Sequence, residues 1–396
     1  MVEWKEYRIK DLGEVVTGNT PPTSNREYYG TEYKFIKPTD MVEGQRFVST
    51  TEEYYSELAY QKYKKCLLPP KTPCVVTIGS LGKKMCLTDT ECFTNQAVNA
   101  VIPNKENDGE FLYYAFKASV LAYVKQLDSG TTSGRENVSK SSFSKIKVRV
   151  PPLTTQQKIA SILSAYDKLI QNYKKQIEAL QTAASELYKE WFVRFRFPGY
   201  KNSRFENGIP EGWKVEKLFD VAKIIYGYPF NSDEFCDDSS LNPVVRIRDI
   251  LDNYTNTYTS ETCDEKYWIN PNEMLIGMDG IFHMSLWTGK RALQNQRTVR
   301  VTSKVKNLSN YYLYFSLYPQ IKALEQMIVG TTVAHLGDKH LKKITILIPE
   351  DKILKMSFER LEPIMNRIYS LQQQITNLTQ QRDLLLPRLM SGKLEV

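Results

Sequence analysis

Lys145-Ile-Lys-Val-Arg-Val-Pro151 returns later in the chain as Lys343-Ile-Thr-Ile-Leu-Ile-Pro349. The first stretch alternates basic and apolar side chains, the period of a half-buried strand, and proline closes it. The second keeps the apolar positions Ile344, Ile346 and Ile348. The residues C-terminal to each stretch decide the architecture. After the first, Ile159, Leu163, Tyr166, Ile170, Tyr173, Ile177, Leu180, Ala184, Leu187 and Trp191 recur in alternating steps of four and three. This is an a/d heptad seam. After the second, Leu361, Ile364, Ile368, Leu371, Ile375, Leu378, Leu385 and Leu389 take the same register, with Ser357 in place of Ile159 and Arg382 in place of Ala184. A seam of about 48 Å needs a cover. The two helices are therefore expected to pair, antiparallel, so that the sequence blocks before them lie at opposite ends of a rod. In that arrangement the stem of Arg382 covers Leu163 or Tyr166 and its head reaches water. Pro363 falls in the opening turns of the second helix, and Pro387 is expected to mark its end.

The blocks that precede the two helices are themselves duplicated. Trp4-Lys5 matches Trp213-Lys214, and Asp11, Val15, Val16 and Gly18 match Asp220, Ile224, Ile225 and Gly227 at a constant offset of 209. Gly130-Thr131-Thr132 matches Gly330-Thr331-Thr332. Short apolar runs at 74–78 and 97–102 precede a helical pattern at 111–124, and the second block repeats this with 274–276, 298–301 and 311–328. The expected fold is mixed α/β with pseudo-twofold symmetry: a domain at 1–152, a long helix at 153–195, a Gly/Pro/Asn-rich linker at 196–212, a second domain at 213–350 and a second long helix at 351–396. A partner with its own near-twofold axis suits such a chain, and duplex DNA has one.

Bulk composition narrows the class. The 396 residues carry 53 basic against 45 acidic side chains, net +8, a tilt that favours a polyanionic partner. The start, MVEWKEYRIK, has no apolar signal region, and no run approaches the length of a membrane span, so a cytoplasmic protein without membrane association is expected. Cysteines 66, 74, 86, 92, 236 and 263 form no Cys-x-x-Cys pair and read as free thiols, and His283, His335 and His340 lack metal-ligand spacing. No metal site is expected.

Enzymatic motifs are missing. Gly79-Ser-Leu-Gly82-Lys83 has Thr77 where a phosphate loop needs glycine, and reads as a tight turn with lysines beside it. There is no dinucleotide fingerprint, zinc-protease helix, serine elbow or Asp/Asn-Pro-Pro-aromatic methylase motif. The acidic cluster Asp233, Glu234, Asp237 and Asp238 has no counterpart in the first copy and reads as a solvated loop. What remains suits recognition. The loops beside the matched segments carry Thr20, Asn25, Arg26, Lys37, Thr39, Lys83, Lys84, Asn95, Gln96, Thr131, Arg135 and Lys140 in the first copy. In the second they carry Tyr228, Asn231, Arg246, Arg248, Asn295, Gln296, Arg297, Thr331, His335 and Lys339. Asn and Gln pair with adenine edges and Arg or Lys with guanine, while Thr, Lys and backbone amides suit phosphates. Each such side chain also has a purely structural reading, an Asn or Gln bonded to nearby backbone. Residues identical in both copies suit the shared frame or phosphate backbone. Residues that differ suit different bases.

Taken in order, the segments resemble the specificity subunit of type I restriction–modification systems over the full length. The wording that carries this is Trp4-Lys5 through Val16-Thr-Gly18 and Pro21-Pro22; Thr94-Asn95-Gln96; Ser129-Gly-Thr-Thr132; Ile146 to Pro152 with Gln156-Gln157, Ile159-Ala160 and Asp167; Ile209-Pro-Glu-Gly-Trp213; and Leu386-Pro-Arg-Leu-Met-Ser-Gly-Lys-Leu394. The resemblance implies two target recognition domains held apart by two antiparallel helices, and a non-catalytic subunit that binds a bipartite double-stranded DNA target, one half per domain. It implies two methyltransferase subunits and restriction subunits as partners, with S-adenosylmethionine and ATP used only there and no cofactor bound by this chain. Tyr226-Gly-Tyr-Pro229 and Pro349-Glu-Asp351 depart from the corresponding first-copy wording. Two other readings stay open at this point: a specificity protein of a stand-alone restriction or methylation enzyme, and a coiled-coil scaffold that binds proteins.

Overall fold

A computed structural model describes residues 3–127, 136–328 and 334–396. The chain divides into two compact units, residues 1–171 with 378–396 and residues 172–377. Each unit contains one α/β block and one stretch of both long helices.

In the first unit, strands Gly13–Thr17, Val98–Pro103, Pro73–Val76 and Met85–Leu87 form an antiparallel sheet in that spatial order. A smaller sheet sets Tyr29–Ile36 antiparallel to Glu53–Tyr55 and parallel to Cys92–Thr94. Val15 and Val75 face a core with Phe111, Leu112 and Phe116, while Val16, Cys74 and Val76 face a second cluster, as strand alternation requires. The helical pattern at 111–124 is one helical run with a π segment, Phe116–Val120, in its middle. The block also closes on itself, which no local pattern announces: Lys5–Arg8 pairs antiparallel with Lys147–Val150, so its first and last strands are neighbours.

The second unit repeats the plan. Ala222–Tyr226, Thr298–Ser303, Met274–Gly277 and Met284–Leu286 form the antiparallel sheet in the same order. Asn242–Val245 runs parallel to Ala292–Gln294, and Lys214–Lys217 pairs with Thr345–Ile348. The helix Asn310–Ile328 covers the sheet and buries Tyr312, Leu313, Leu317 and Ile321. Phe197, from the segment between the halves, is buried against Trp213.

The long helices run Leu153–Tyr188, extended by a π turn to Val193, and Asp351–Met390. Every expected seam position is buried or half-buried. In the first unit, Ile159 and Leu163 share a core with Leu389, and Leu385 packs against it. In the second, Ala184, Ile177, Leu180 and Leu187 cluster with Leu361, Ile364 and Ile368. Within each unit the higher-numbered part of one helix meets the lower-numbered part of the other, which is antiparallel pairing.

Two expectations about these helices need correction. Pro387 does not end the second helix, which continues to Met390. Proline removes one N–H from the hydrogen-bond ladder but leaves its own carbonyl free to accept, and Pro387 O accepts from Ser391 N at 3.0 Å. Nor does the head of Arg382 reach water. The residue is 9% exposed, and its guanidinium pairs with Asp167 Oδ1 at 2.6 Å and Asp383 Oδ1 at 2.8 Å. An acidic partner on the facing helix holds the charge inside the seam.

All six cysteines are free; Cys74, Cys86 and Cys92 are buried. Among the described residues, no helix is long and apolar enough to cross a membrane. No group of three or more His, Cys, Asp or Glu among them is placed to hold a metal ion.

Candidate nucleic-acid interface

The loops singled out in the sequence converge in each block because the backbone laces them together. In the first block, Gly18 N donates to Val98 O (3.2 Å), Asn19 N to Thr94 O (2.9 Å), Asn95 N to Ile36 O (3.2 Å), Thr77 N to Ala97 O (2.8 Å) and Gly79 N to Glu136 O (2.9 Å). In the second, Gly227 N donates to Thr298 O (3.0 Å), Tyr228 N to Gln294 O (2.9 Å), Asn295 N to Val245 O (3.1 Å), Met278 N to Arg297 O (2.9 Å) and Gly280 N to Ala334 O (3.0 Å). The two frames match bond for bond.

Gly18 and Gly227 are part of that frame. A Cβ on Gly18 would lie 2.1 Å from Thr94 O, and one on Gly227 would lie 1.9 Å from Asn295 O. Only glycine lets these backbones approach so closely. Asp40 and Asp249 also serve the frame: Lys37 N donates to Asp40 Oδ2 (2.7 Å), and Arg246 N donates to Asp249 Oδ2 (2.9 Å).

Several candidate side chains are engaged within their own block. Lys37 lies between Glu52 (2.8 Å) and Glu53 (3.1 Å). Burial pulls its ammonium down, yet the two carboxylates outweigh this and hold it above the ordinary lysine range. Lys84 donates to Pro38 O at 2.8 Å, and Thr20 to Gln96 Oε1. Asn95 Oδ1 accepts from Ala97 N (3.1 Å), Asn295 Oδ1 from Gln296 N (2.9 Å) and Asn231 Oδ1 from Asp233 N (3.1 Å). Arg246 Nε reaches Asp249 Oδ2 at 3.3 Å. Tyr228 packs against Phe230 and Tyr267.

Asn25, Arg26, Thr39, Lys83 and Lys140 are exposed in the first block, as are Arg248, Gln296, Arg297, His335 and Lys339 in the second. Lys83 belongs to a turn with Gly79 (φ 88°) and Gly82 (φ 71°), as expected for that stretch. Lys140 opens a short helix capped by Ser139. Thr131, Arg135 and Thr331 lie outside the described residues.

Two features of the site carry little signal in the sequence. Asp279, which no motif singles out, lies against two candidates: its Oδ1 is 2.6 Å from His335 Nδ1, and its Oδ2 is 3.6 Å from Arg297 Nε. In the first block, half-buried Thr17 donates to Asn99 Oδ1 (2.5 Å) and Asn99 Nδ2 donates to Thr77 (2.8 Å), with Asn99 and Thr77 buried. In the sequence Asn99 is one polar residue inside an apolar run. Its pairing with two threonines distant in sequence, Thr17 at the end of one strand and Thr77 just past the end of another, leaves no local signal.

The sequence model of the type I restriction modification DNA specificity domain matches residues 1–182 and 210–380. The specificity subunit of the type I restriction enzyme MjaIX of Methanocaldococcus jannaschii is 29% identical over 415 aligned residues, covering all of this chain and 94% of the relative. The specificity subunit of the type I restriction enzyme HindI of Haemophilus influenzae is 35% identical over 174 residues, 43% of this chain and 37% of its own length. The crystal structure of the S subunit of a type I restriction–modification system from M. genitalium superposes with a TM-score of 0.65 at 15% identity over 98% of this chain and 96% of its own, a likeness of fold. With the family's domain matched once in each half, the chain belongs to the type I restriction–modification DNA specificity family, as a specificity subunit with two recognition domains.

Proposed function

We propose that this chain binds a bipartite DNA target without catalysing any reaction, each block contacting one short word and the bases between them going unread. The observation that carries this reading is the doubled loop frame: the backbone bonds repeat, while exposed side chains on it, such as Thr39 against Arg248, differ between the blocks. Two copies of one frame suit two stretches of the same duplex, and divergent side chains suit two different words. Exposed cations such as Arg26, Lys83, Arg248 and Lys339 neutralise phosphates, which makes the affinity fall with salt.

The relatives are named as specificity subunits of restriction enzymes, which supports methyltransferase and restriction subunits as partners. Two methyltransferase copies would match the two halves. S-adenosylmethionine and ATP would be used in those subunits, in the cytoplasm, and the paired helices would offer the docking surface.

Selection of bound molecules from a duplex pool with randomised positions, using the full chain, tests the reading. Two defined words separated by a fixed unread gap are expected, with binding weakened by added salt. Enrichment of no motif, or of one word alone, would overturn it. Incubating the chain alone with duplex and S-adenosylmethionine is expected to transfer no methyl group; transfer would instead establish a stand-alone enzyme.

A further inference from the structure

Three positions that share one location in both blocks change character together. In the first block, Ile78 and Asn137 are β-bridge partners and Ala97 O accepts from Thr77 N. In the second, the same bridge joins Asp279 to His335, and Arg297 O accepts from Met278 N. An isoleucine, an asparagine and an alanine on one frame are replaced by an aspartate, a histidine and an arginine on the other. The first block shows that the frame folds without these charges.

We infer that Arg297, oriented by Asp279, reads a guanine in the half-site bound by the second block. This rests on the DNA-binding reading above and deepens it. Arg297 has φ 67°, a left-handed conformation that a long side chain adopts only at a cost, whereas Ala97 is not among the positive-φ residues. The backbone is held there on both sides, by the bond from Met278 and by Thr298 Oγ1 donating to Asn295 O at 2.7 Å. The side chain is 59% exposed. The pairing within this clamp is made by Nε, 3.6 Å from Asp279 Oδ2, which leaves the two terminal amino groups of the guanidinium for a second partner. Asp279 is itself held from its other oxygen: His335 Nδ1 lies 2.6 Å from its Oδ1.

The clamp decides between the two partners an exposed arginine can take in DNA. A phosphate would meet the aspartate's negative charge beside the guanidinium and be disfavoured. A guanine edge is uncharged and presents O6 and N7 as a pair of acceptors, the arrangement that a planar, pre-oriented arginine fork matches. Asp279 is thus a positioning residue, and Arg297 the residue that touches the base.

The randomised duplex pool with the full chain, run beside Arg297→Gln, Arg297→Lys and Asp279→Asn, tests this. The unchanged chain is expected to fix a guanine at one position of one word. Arg297→Gln is expected to lose that preference by roughly 5- to 150-fold, with every other position and the whole second word kept; Arg297→Lys retains part of it. Asp279→Asn is expected to weaken the same single preference without moving the thermal midpoint, which a merely structural role would not do. If Arg297→Gln recovers the same motif with affinity lowered evenly across all sequences, Arg297 is a phosphate contact and the inference falls. If motif and affinity are both unchanged, the trio is a surface ion-pair network and the inference also falls. A chain that enriches no motif defeats the DNA reading as a whole, a result distinct from either of these.

Discussion

Arg382 stands at a seam position where the other helix has Ala184, and its burial is possible only because of residues distant in sequence. Asp167, on the facing helix, takes the guanidinium at 2.6 Å and also accepts from the Tyr114 hydroxyl. The side chains of Arg382 and Asp167 are 11% and 12% exposed, so neither charge has bulk water to fall back on. The sequence carries the register that places Arg382 in the seam, and the charge at that position suggests a head reaching for solvent. It does not carry the partner, because Asp167 sits at a heptad position that reads as outward-facing until the second helix is laid beside it. Arg382→Ala is expected to destabilise the first unit by about 3–5 kcal/mol, since it strands the Asp167 carboxylate in the interface. The double change Asp167→Asn with Arg382→Leu removes both charges, keeps an acceptor for Tyr114, and is expected to recover most of the loss. Urea unfolding of the full chain measures both. A single variant within about 1 kcal/mol of the unchanged chain would mean the pair behaves as an exposed one.

Among the elements, the long helices are the most legible in the sequence. Ten seam positions in strict four-three alternation leave little room for another structure, and each is covered where the periodicity places it. The strands are legible as apolar runs, but their partners are not. The pairing of Lys5–Arg8 with Lys147–Val150 joins segments some 140 residues apart, and nothing in either four-residue run names the other. The loops are legible as rich in polar side chains, yet not as sites. Lys37, Lys84 and Asn95 carry the right chemistry for DNA and spend it on their own block, while Asp279 carries chemistry that looks wrong for DNA and holds Arg297. The seam gives a prediction of its own. One heptad inserted into each long helix keeps every a and d position in phase and adds about 10 Å to each. At 3.4 Å per base pair, the unread gap of the target is expected to widen by about three base pairs, with both words unchanged. A gap of unchanged width in the same duplex selection would show that the helices do not set it.

For the molecule as a whole, the duplication separates what must be conserved between the blocks from what is free to differ. The bonds from Gly18 and Gly227, Asn95 and Asn295, and the paired first and last strands occur twice, and the antiparallel seam stretch occurs once in each unit. Ile78, Ala97 and Asn137 against Asp279, Arg297 and His335 show how far the surface on that frame can diverge without altering it. Each block carries its own core, so on the proposed reading the word it contacts is a property of that block. Replacing residues 1–150 with the corresponding block of another family member is therefore expected to change one word and leave the other intact. The exchange has one structural condition. Phe111, Tyr114, Ile159 and Leu163 share a core with Leu389, and Trp4 packs beside Gly392, so the incoming block must keep apolar side chains of similar volume where it meets the end of the second long helix. A block that violates this is expected to lower the unfolding midpoint before it alters recognition, which separates a packing failure from a failure of independence. With the midpoint preserved, altered preference in both words would mean that the blocks do not read DNA separately.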